Sequence, residues 1–163
     1  MINICFFLGS FSSGGAEEHV LSIVNNIDRK KFNPIVAVYR KEGPLLSEFE
    51  NANIKILEYN SRYSRITQIL KFAKDLDKNK VHILHSHLIG GLLFSFTASL
   101  FSRVNIRIMT LHNIYKDPLK LYNRLGLIWG YKLSDLVIGC GKTVSDNNTI
   151  INSSNSKKII TVH

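Results

Sequence analysis

Ile2-Asn3-Ile4-Cys5-Phe6-Phe7-Leu8-Gly9 is a near-continuous apolar run that stops at a glycine, and Ser10-Phe11-Ser12-Ser13-Gly14-Gly15 separates it from the next periodic segment. A strand that is apolar on both sides needs cover on both faces, which a parallel sheet flanked by helices provides. Beyond the loop, Val20, Leu21, Ile23, Val24 and Ile27 recur at helical spacing, and the segment ends near Asp28–Lys31 ahead of Phe32-Asn33-Pro34. The opening unit therefore reads strand, glycine loop, helix.

The same alternation continues along the chain. Pro34–Tyr39 reads as a second strand, Gly43-Pro44 opens a short helix to about Asn51, and Ile54–Tyr59 reads as a third strand. Ile66–Asn79 places Ile66, Ile69, Leu70, Ala73 and Leu76 on one stripe with lysines opposite, an amphipathic helix. Val81–His87 follows as a strand. Leu88–Ser102 is a well-buried helix, too short and too interrupted by Gly90-Gly91 to span a membrane. Strands at Ile106–Leu111, Leu136–Gly139 and Lys158–Val162 and helices at Leu119–Leu133 and about Thr143–Ile151 complete the series, with a polar turn at Asn152–Ser156. Such a succession implies βα units joined by right-handed crossovers. The sequence predicts an α/β, Rossmann-like doubly wound parallel sheet of about seven strands.

A length of 163 residues suits one such domain. Apolar residues at 45% and charged residues at 20% exclude a disordered chain, a collagen and a coiled coil. The formal charge is +9, yet Met1–Asn60 holds six basic and seven acidic residues, so the whole positive excess lies in the remainder. That surface suits phosphates or anionic membranes, whereas nucleic acid is not expected, because no ladder of aromatics interleaves the basic residues. Cys5 and Cys140 each sit in an apolar run and read as reduced, buried thiols of a cytosolic protein. The first basic residue is Arg29, so no secretory signal is expected.

In an open α/β sheet, ligands bind outside the carboxyl ends of the strands. Four segments lie there: Gly9–Glu18, His85–Gly91, Leu111–Lys116 and Gly139–Val144. In the first, Gly14 and Gly15 permit close backbone approach, and the free amides of the following helix suit a phosphate. The spacing departs from Gly-x-Gly-x-x-Gly and strand two lacks a terminal acid, so a dinucleotide site is disfavoured; a tight turn with Glu17 and Glu18 in the first helical turn is the competing reading. His85 and His87 close strand four on the face that carries Val81 and Ile83, and His112 closes strand five. A His-x-His pair with a third histidine is a donor set for zinc, but no carboxylate stands nearby in sequence to orient the rings, and histidines satisfied within a core are the commoner outcome. His85 reads as structural and His112, beside a loop, as functional. The Leu119–Leu133 helix carries Lys120, Arg124 and Lys132 among large apolar residues, which suits packing on the sheet with snorkelling cations or contact with anionic lipid.

Taken together, Gly14-Gly15-Ala16-Glu17 after strand one, His85-Ser86-His87 ending strand four, Thr110-Leu111-His112-Asn113 ending strand five, Ser134-Asp135-Leu136-Val137-Ile138 and Lys157-Lys158-Ile159-Ile160-Thr161-Val162-His163 resemble the amino-terminal half of a group 1, family 4 GT-B glycosyltransferase. The resemblance covers the whole chain. It implies a Rossmann-like acceptor-side domain over residues 1–163, with a carboxy-terminal donor-binding domain outside this chain. It implies a retaining, bacterial-type enzyme that moves a sugar from a nucleotide-sugar donor to a polysaccharide or lipid-linked acceptor in cell-envelope glycan synthesis. Such a protein is expected to be cytoplasmic, with peripheral contact at the inner membrane face, and to need no metal or other cofactor. Carried over by position, His112 is the catalytic-site histidine, Gly14 and Gly15 approach the donor diphosphate, and His87 and Asn113 belong to the acceptor pocket. Gly139-Cys140-Gly141 departs from the pattern, where relatives more often carry Ala, an apolar residue and Ser. The competing class is a non-catalytic Rossmann-type binding or interaction module.

Overall fold

The computed structural model describes residues 1–60, 64–115, 119–147 and 159–162. Readings that fall on Lys116, on the helix beyond residue 147, on the Asn152–Ser156 turn, on Lys157 and Lys158 and on His163 lie outside the described residues. In chain order the elements are β1 (Ile2–Leu8), α1 (Gly15–Asn26), β2 (Phe32–Val38), α2 (Leu46–Asn51), β3 (Lys55–Glu58), α3 (Arg65–Lys78), β4 (Ile83–His87), α4 (Ile89–Leu100), β5 (Ile106–Leu111), α5 (Leu121–Leu133), β6 (Leu136–Gly139), α6 (Lys142–Asn147) and β7 (Ile159–Thr161). All seven strands are parallel in the order β3-β2-β1-β4-β5-β6-β7. The fold is the Rossmann-like α/β sheet expected from the sequence. Strand order reverses between β1 and β4, and a doubly wound sheet opens a crevice at that place.

The two-faced apolarity of β1 explains the layering. Ile4, Phe6 and Leu8 pack with Val20 and Val24 of α1 and Phe49 of α2, while Cys5 and Phe7 point to the opposite core with Phe72 and Leu76 of α3 and Phe94 and Ala98 of α4. A third core joins Leu92 and Phe96 of α4 to Met109 of β5, Leu127 and Tyr131 of α5 and Val137 of β6. The glycines of α4 and α5 follow from this packing. A Cβ on Gly91 would stand 2.7 Å from the Phe7 ring, and one on Gly130 would stand 3.1 Å from the Met109 sulfur.

Three details differ from the sequence reading. Val81 is not in the strand with Ile83. It lies in the core of Phe7 and Phe72, whereas Ile83 packs on the α1 side. The reason is a Schellman turn that closes α3: Lys80 adopts φ 49°, its N–H donates to Asp77 O, and the Val81 N–H donates to Leu76 O at 2.9 Å. Cys140 is exposed rather than buried, because β6 ends at Gly139 and the following residue stands at the strand tip, whereas Cys5 is fully buried as expected. Finally, α5 both packs and presents an apolar outer stripe. Gly126, Leu127, Gly130 and Tyr131 face α4 and the sheet, while Leu121, Leu125 and Trp129 are exposed.

Candidate active site

The tips of β1, β4, β5 and β6 converge on a cleft of about 360 Å³ lined by Gly14, Gly15, Glu17, His19, Leu88, His112, Asn113 and Cys140. Of the residues singled out from sequence, Gly14, Gly15, His112 and Asn113 therefore come together. His87 does not line it. It is fully buried behind His112 and reaches the cleft only through a hydrogen bond, His87 Nδ1 to His112 Nε2 at 3.0 Å.

One wall is the start of α1. Gly14 is its N-cap with extended backbone (φ −128°, ψ 156°), and no side chain caps the helix. The first-turn amides have no acceptor within the helix, and the positive end of the helix dipole points the same way. The Glu17 carboxylate lies beside this end, and the residue lines the cleft. It is buried, accepts a 2.7 Å hydrogen bond from Ser12 Oγ, and lies so close under Gly14 that a Cβ there would meet its carboxylate at 2.6 Å. A Cβ on Gly15, by contrast, meets nothing within 4 Å. A side chain at Gly14 would thus displace the Glu17 carboxylate, while Gly15 leaves open space for a ligand.

The opposite wall is His112, backed by a ladder of imidazoles. His85 and His87 alternate out of β4 on the same face with ring centroids 4.1 Å apart. His85 Nε2 bonds Thr110 Oγ1 at 2.7 Å, which fixes it as a structural member of the core. His112 continues from β5, and His19 on α1 stands edge-on to it at 5.7 Å. Burial, with His19 and His112 nearby, pulls His85 down to about 3; burial, with His85, His112 and His19 nearby, pulls His87 well below the ordinary histidine value; and burial, then His19, pulls His112 down to about 4. All three are neutral at pH 7. Two of the nitrogens that a zinc site would need face each other in the His87–His112 bond, and no group of three metal-ligating side chains occurs among the described residues.

Neutral burial of this pair has a consequence for stability. The unfolded chain protonates both histidines near 6.5, whereas folded His85 and His87 resist protonation until far lower pH. Their contribution is intact above about pH 6.5 and is lost as pH falls through the window towards their folded values. We expect the unfolding free energy from urea denaturation to fall as pH drops from 6.5 to 5, with a slope of roughly 3 kcal/mol per pH unit when His112, also held low, is counted with these two sites. His85→Gln should reduce that slope by about a third, and an unchanged slope would contradict the assignment.

Three cleft residues were not singled out from sequence as members of this site. His19 was legible in principle, since it stands one turn after Ala16 at the edge of the inward stripe of Ala16, Val20, Ile23 and Val24. Leu88, at φ 65°, holds a conformation that a branched residue adopts under tertiary constraint and that no pattern announces. Cys140 stands beside His112, its Sγ 3.5 Å from the His112 carbonyl oxygen and its N–H donating to Leu111 O.

Residues 13–149 match the family model of Glycosyltransferase Family 4. The chain belongs to glycosyltransferase family 4. No curated protein sequence gives a significant match. Among solved structures, the fold is similar to that of Anabaena HepE in complex with UDP and glucose, with a TM-score of 0.82 and 16% identity over all of this chain and 44% of that one. It is also similar to the apo lipopolysaccharide outer core galactosyltransferase WaaB, at 0.73 and 12% over 98% of this chain and 44% of that one. A glycosyltransferase from Rickettsia africae gives 0.75 and 18% over 99% and 42%. The chain thus spans less than half the length of each of these proteins. The expected family and the Rossmann-like fold of GT-B amino-terminal halves are both met.

Proposed function

We propose that this family 4 domain is the acceptor-side half of a retaining hexosyltransferase that moves a sugar from a nucleotide-sugar donor to a polysaccharide or lipid-linked acceptor of the cell envelope. The observation that carries the reading is the cleft at the switch point, where an uncapped helix start with open space at Gly15 faces His112. A second domain, beyond this chain, supplies most of the donor site. The amides at Gly14 and Gly15 then stabilise the diphosphate as it leaves, and preorganised dipoles of this kind account for much of the rate of such reactions. HepE bound to UDP-glucose, and WaaB as a lipopolysaccharide galactosyltransferase, support the donor class and the envelope role.

His112 acts here as a neutral donor. If His87 Nδ1–H donates to His112 Nε2, the buried and unpartnered His87 Nε2 is a bare acceptor; the reverse assignment would orphan a buried N–H, which is the rarer state. His112 then carries its hydrogen on Nδ1, available to a sugar hydroxyl. His87 becomes the residue that fixes the tautomer of His112 rather than one that touches the acceptor, and Asn113, at the rim and hydrogen bonded with Tyr115, remains in the acceptor pocket.

The protein works at the cytoplasmic membrane face. Leu121, Arg124, Leu125, Trp129 and Lys132 form one exposed stripe on α5, no acidic residue occurs between Leu119 and Ser134, and Ile66 and Leu70 are exposed on α3. Apolar side chains among cations suit an anionic bilayer surface. No helix among the described residues is long and apolar enough to cross a membrane. Residues 1–163 alone should not turn over UDP-glucose or UDP-galactose, while the two-domain protein should. Robust turnover by the isolated domain would overturn the division of labour.

A further inference from the structure

A second cavity opens at the same sheet edge, among the amino-terminal ends of α3, α4 and α5. Its volume is about 430 Å³, and its lining includes Tyr39, Tyr59, Arg65, Gln68, Phe94 and Tyr122. That size falls within the range of small-molecule sites. Tyr59 and Phe94 are almost wholly buried, and Tyr39 stands against Phe94 at 5.0 Å. The Tyr59 hydroxyl donates to Asp75 Oδ2 at 2.8 Å, so its polar end is engaged outside the cavity.

Two polar groups in this wall are built but unanswered. Gln68 is 6% exposed, and its side-chain oxygen is buried without a hydrogen-bond partner. A buried acceptor left unpaired costs about 1–3 kcal/mol, so a donor arriving with a ligand restores it. The Arg65 guanidinium is stacked over the Tyr122 ring at 4.6 Å, and it has no carboxylate partner among the described residues. Arg40, which also lines the cavity, is paired with Glu42 at 3.1 Å, and no acidic residue lines the cavity. A stacked guanidinium presents a preoriented fork for a carboxylate or phosphate.

The β4–α4 turn is the common wall of the two sites. Leu88 lines the first cleft and Gly90 the second, and two residues of chain span at most about 7 Å. A molecule seated in the second cavity can therefore extend one end over the turn towards His112. Building on the transferase reading above, we propose that this cavity is the acceptor subsite and takes a sugar ring bearing a negative charge. The ring lies against Tyr39, Phe94 and Tyr122, Gln68 turns its Oε1 out of the wall to accept from one hydroxyl, and a carboxylate or phosphate substituent sits on Arg65.

The test is a titration of the full-length protein, without donor, by glucuronic acid, glucose 6-phosphate, glucose and inorganic phosphate. Glucuronic acid or glucose 6-phosphate should bind about tenfold more tightly than glucose, with the stronger of the two naming the anion. Inorganic phosphate should bind more weakly than that charged sugar. Arg65→Gln should abolish the preference, Arg65→Lys should restore part of it, and Gln68→Leu should weaken every sugar, with thermal melts confirming that each variant is folded. Equal binding of charged and neutral sugars, a preference that survives Arg65→Gln, or phosphate binding as tightly as glucose 6-phosphate would overturn the subsite. If such a result came with normal sugar transfer, the subsite alone would be wrong. A charge preference without any transfer would instead refute the transferase reading.

Discussion

Replacing Gly43 with alanine should lower the unfolding free energy by about 3 kcal/mol, the sum of a strained backbone and an overlap that cannot relax. Gly43 adopts φ 127°, a conformation that residues with a Cβ rarely hold. A Cβ there would overlap the carbonyl of Phe11 and approach the Ser12 nitrogen, and all of these are main-chain atoms. They cannot move aside, because the Phe11 N–H donates to Glu42 O, the Leu45 N–H donates to Phe11 O, and the fully buried Phe11 ring packs on Phe49 at 4.6 Å. The loop after β2 thereby clamps the loop after β1, which delivers Gly14 and Gly15 to the cleft. In urea denaturation the midpoint should fall by roughly 1–2 M at unchanged slope. A loss below 0.5 kcal/mol, on the order of an ordinary surface change, would show that the clamp is slack.

His112→Ala in the two-domain enzyme should lower kcat by roughly 10²–10³, the usual effect of removing one preorganised donor from a site where charge develops. The residue is partly buried at the end of β5, held from behind by His87 and flanked by His19, so its ring has little freedom to point elsewhere. Its neutral state at pH 7 means that it contributes a hydrogen bond and not a cation. His87→Ala should reproduce part of the loss through the freed tautomer. His85→Gln should mainly affect stability, because His85 bonds Thr110 within the core. If His112→Ala transferred sugar within threefold of the unmodified rate, the role assigned to it would be wrong.

The parts of the fold that were legible in the sequence are those set by local chemistry. Both faces of β1 must be covered, and the run Ile2–Leu8 says so directly; the glycine loop before α1 is equally explicit, whereas the predicted stripe of α3 is met only in part, since Ala73 and Leu76 are buried with Gln68 and Phe72 while Ile66 and Leu70 are exposed. The misplacement of Val81 came from a helix-closing turn built on Lys80, which holds a positive φ where glycine would have advertised it. The exposure of Cys140 is not written in its apolar run, which does not disclose that β6 ends one residue earlier, at Gly139. In the candidate site, Gly14, Gly15, His112 and Asn113 were recognisable because each ends or follows a strand. His87 looked equivalent to them, yet it pairs with Thr110, two residues short of His112, and so lies behind it. The second cavity was not legible at all. Tyr39, Tyr59, Arg65 and Tyr122 come from four separate places in the chain, and each alone reads as core or as a solvated face. The return of α3 to β4 across the switch point and the packing of α5 on α4 bring them together.

The most direct test of the central claim is the anomeric configuration of the product. The two-domain protein, supplied with UDP-glucose or UDP-galactose and cell-envelope glycan, should form a glycosidic bond with the same configuration as the donor, as read from the anomeric proton coupling. An inverted bond, or release of sugar to water without transfer to any glycan, would contradict the account of this domain as the acceptor side of a retaining glycosyltransferase.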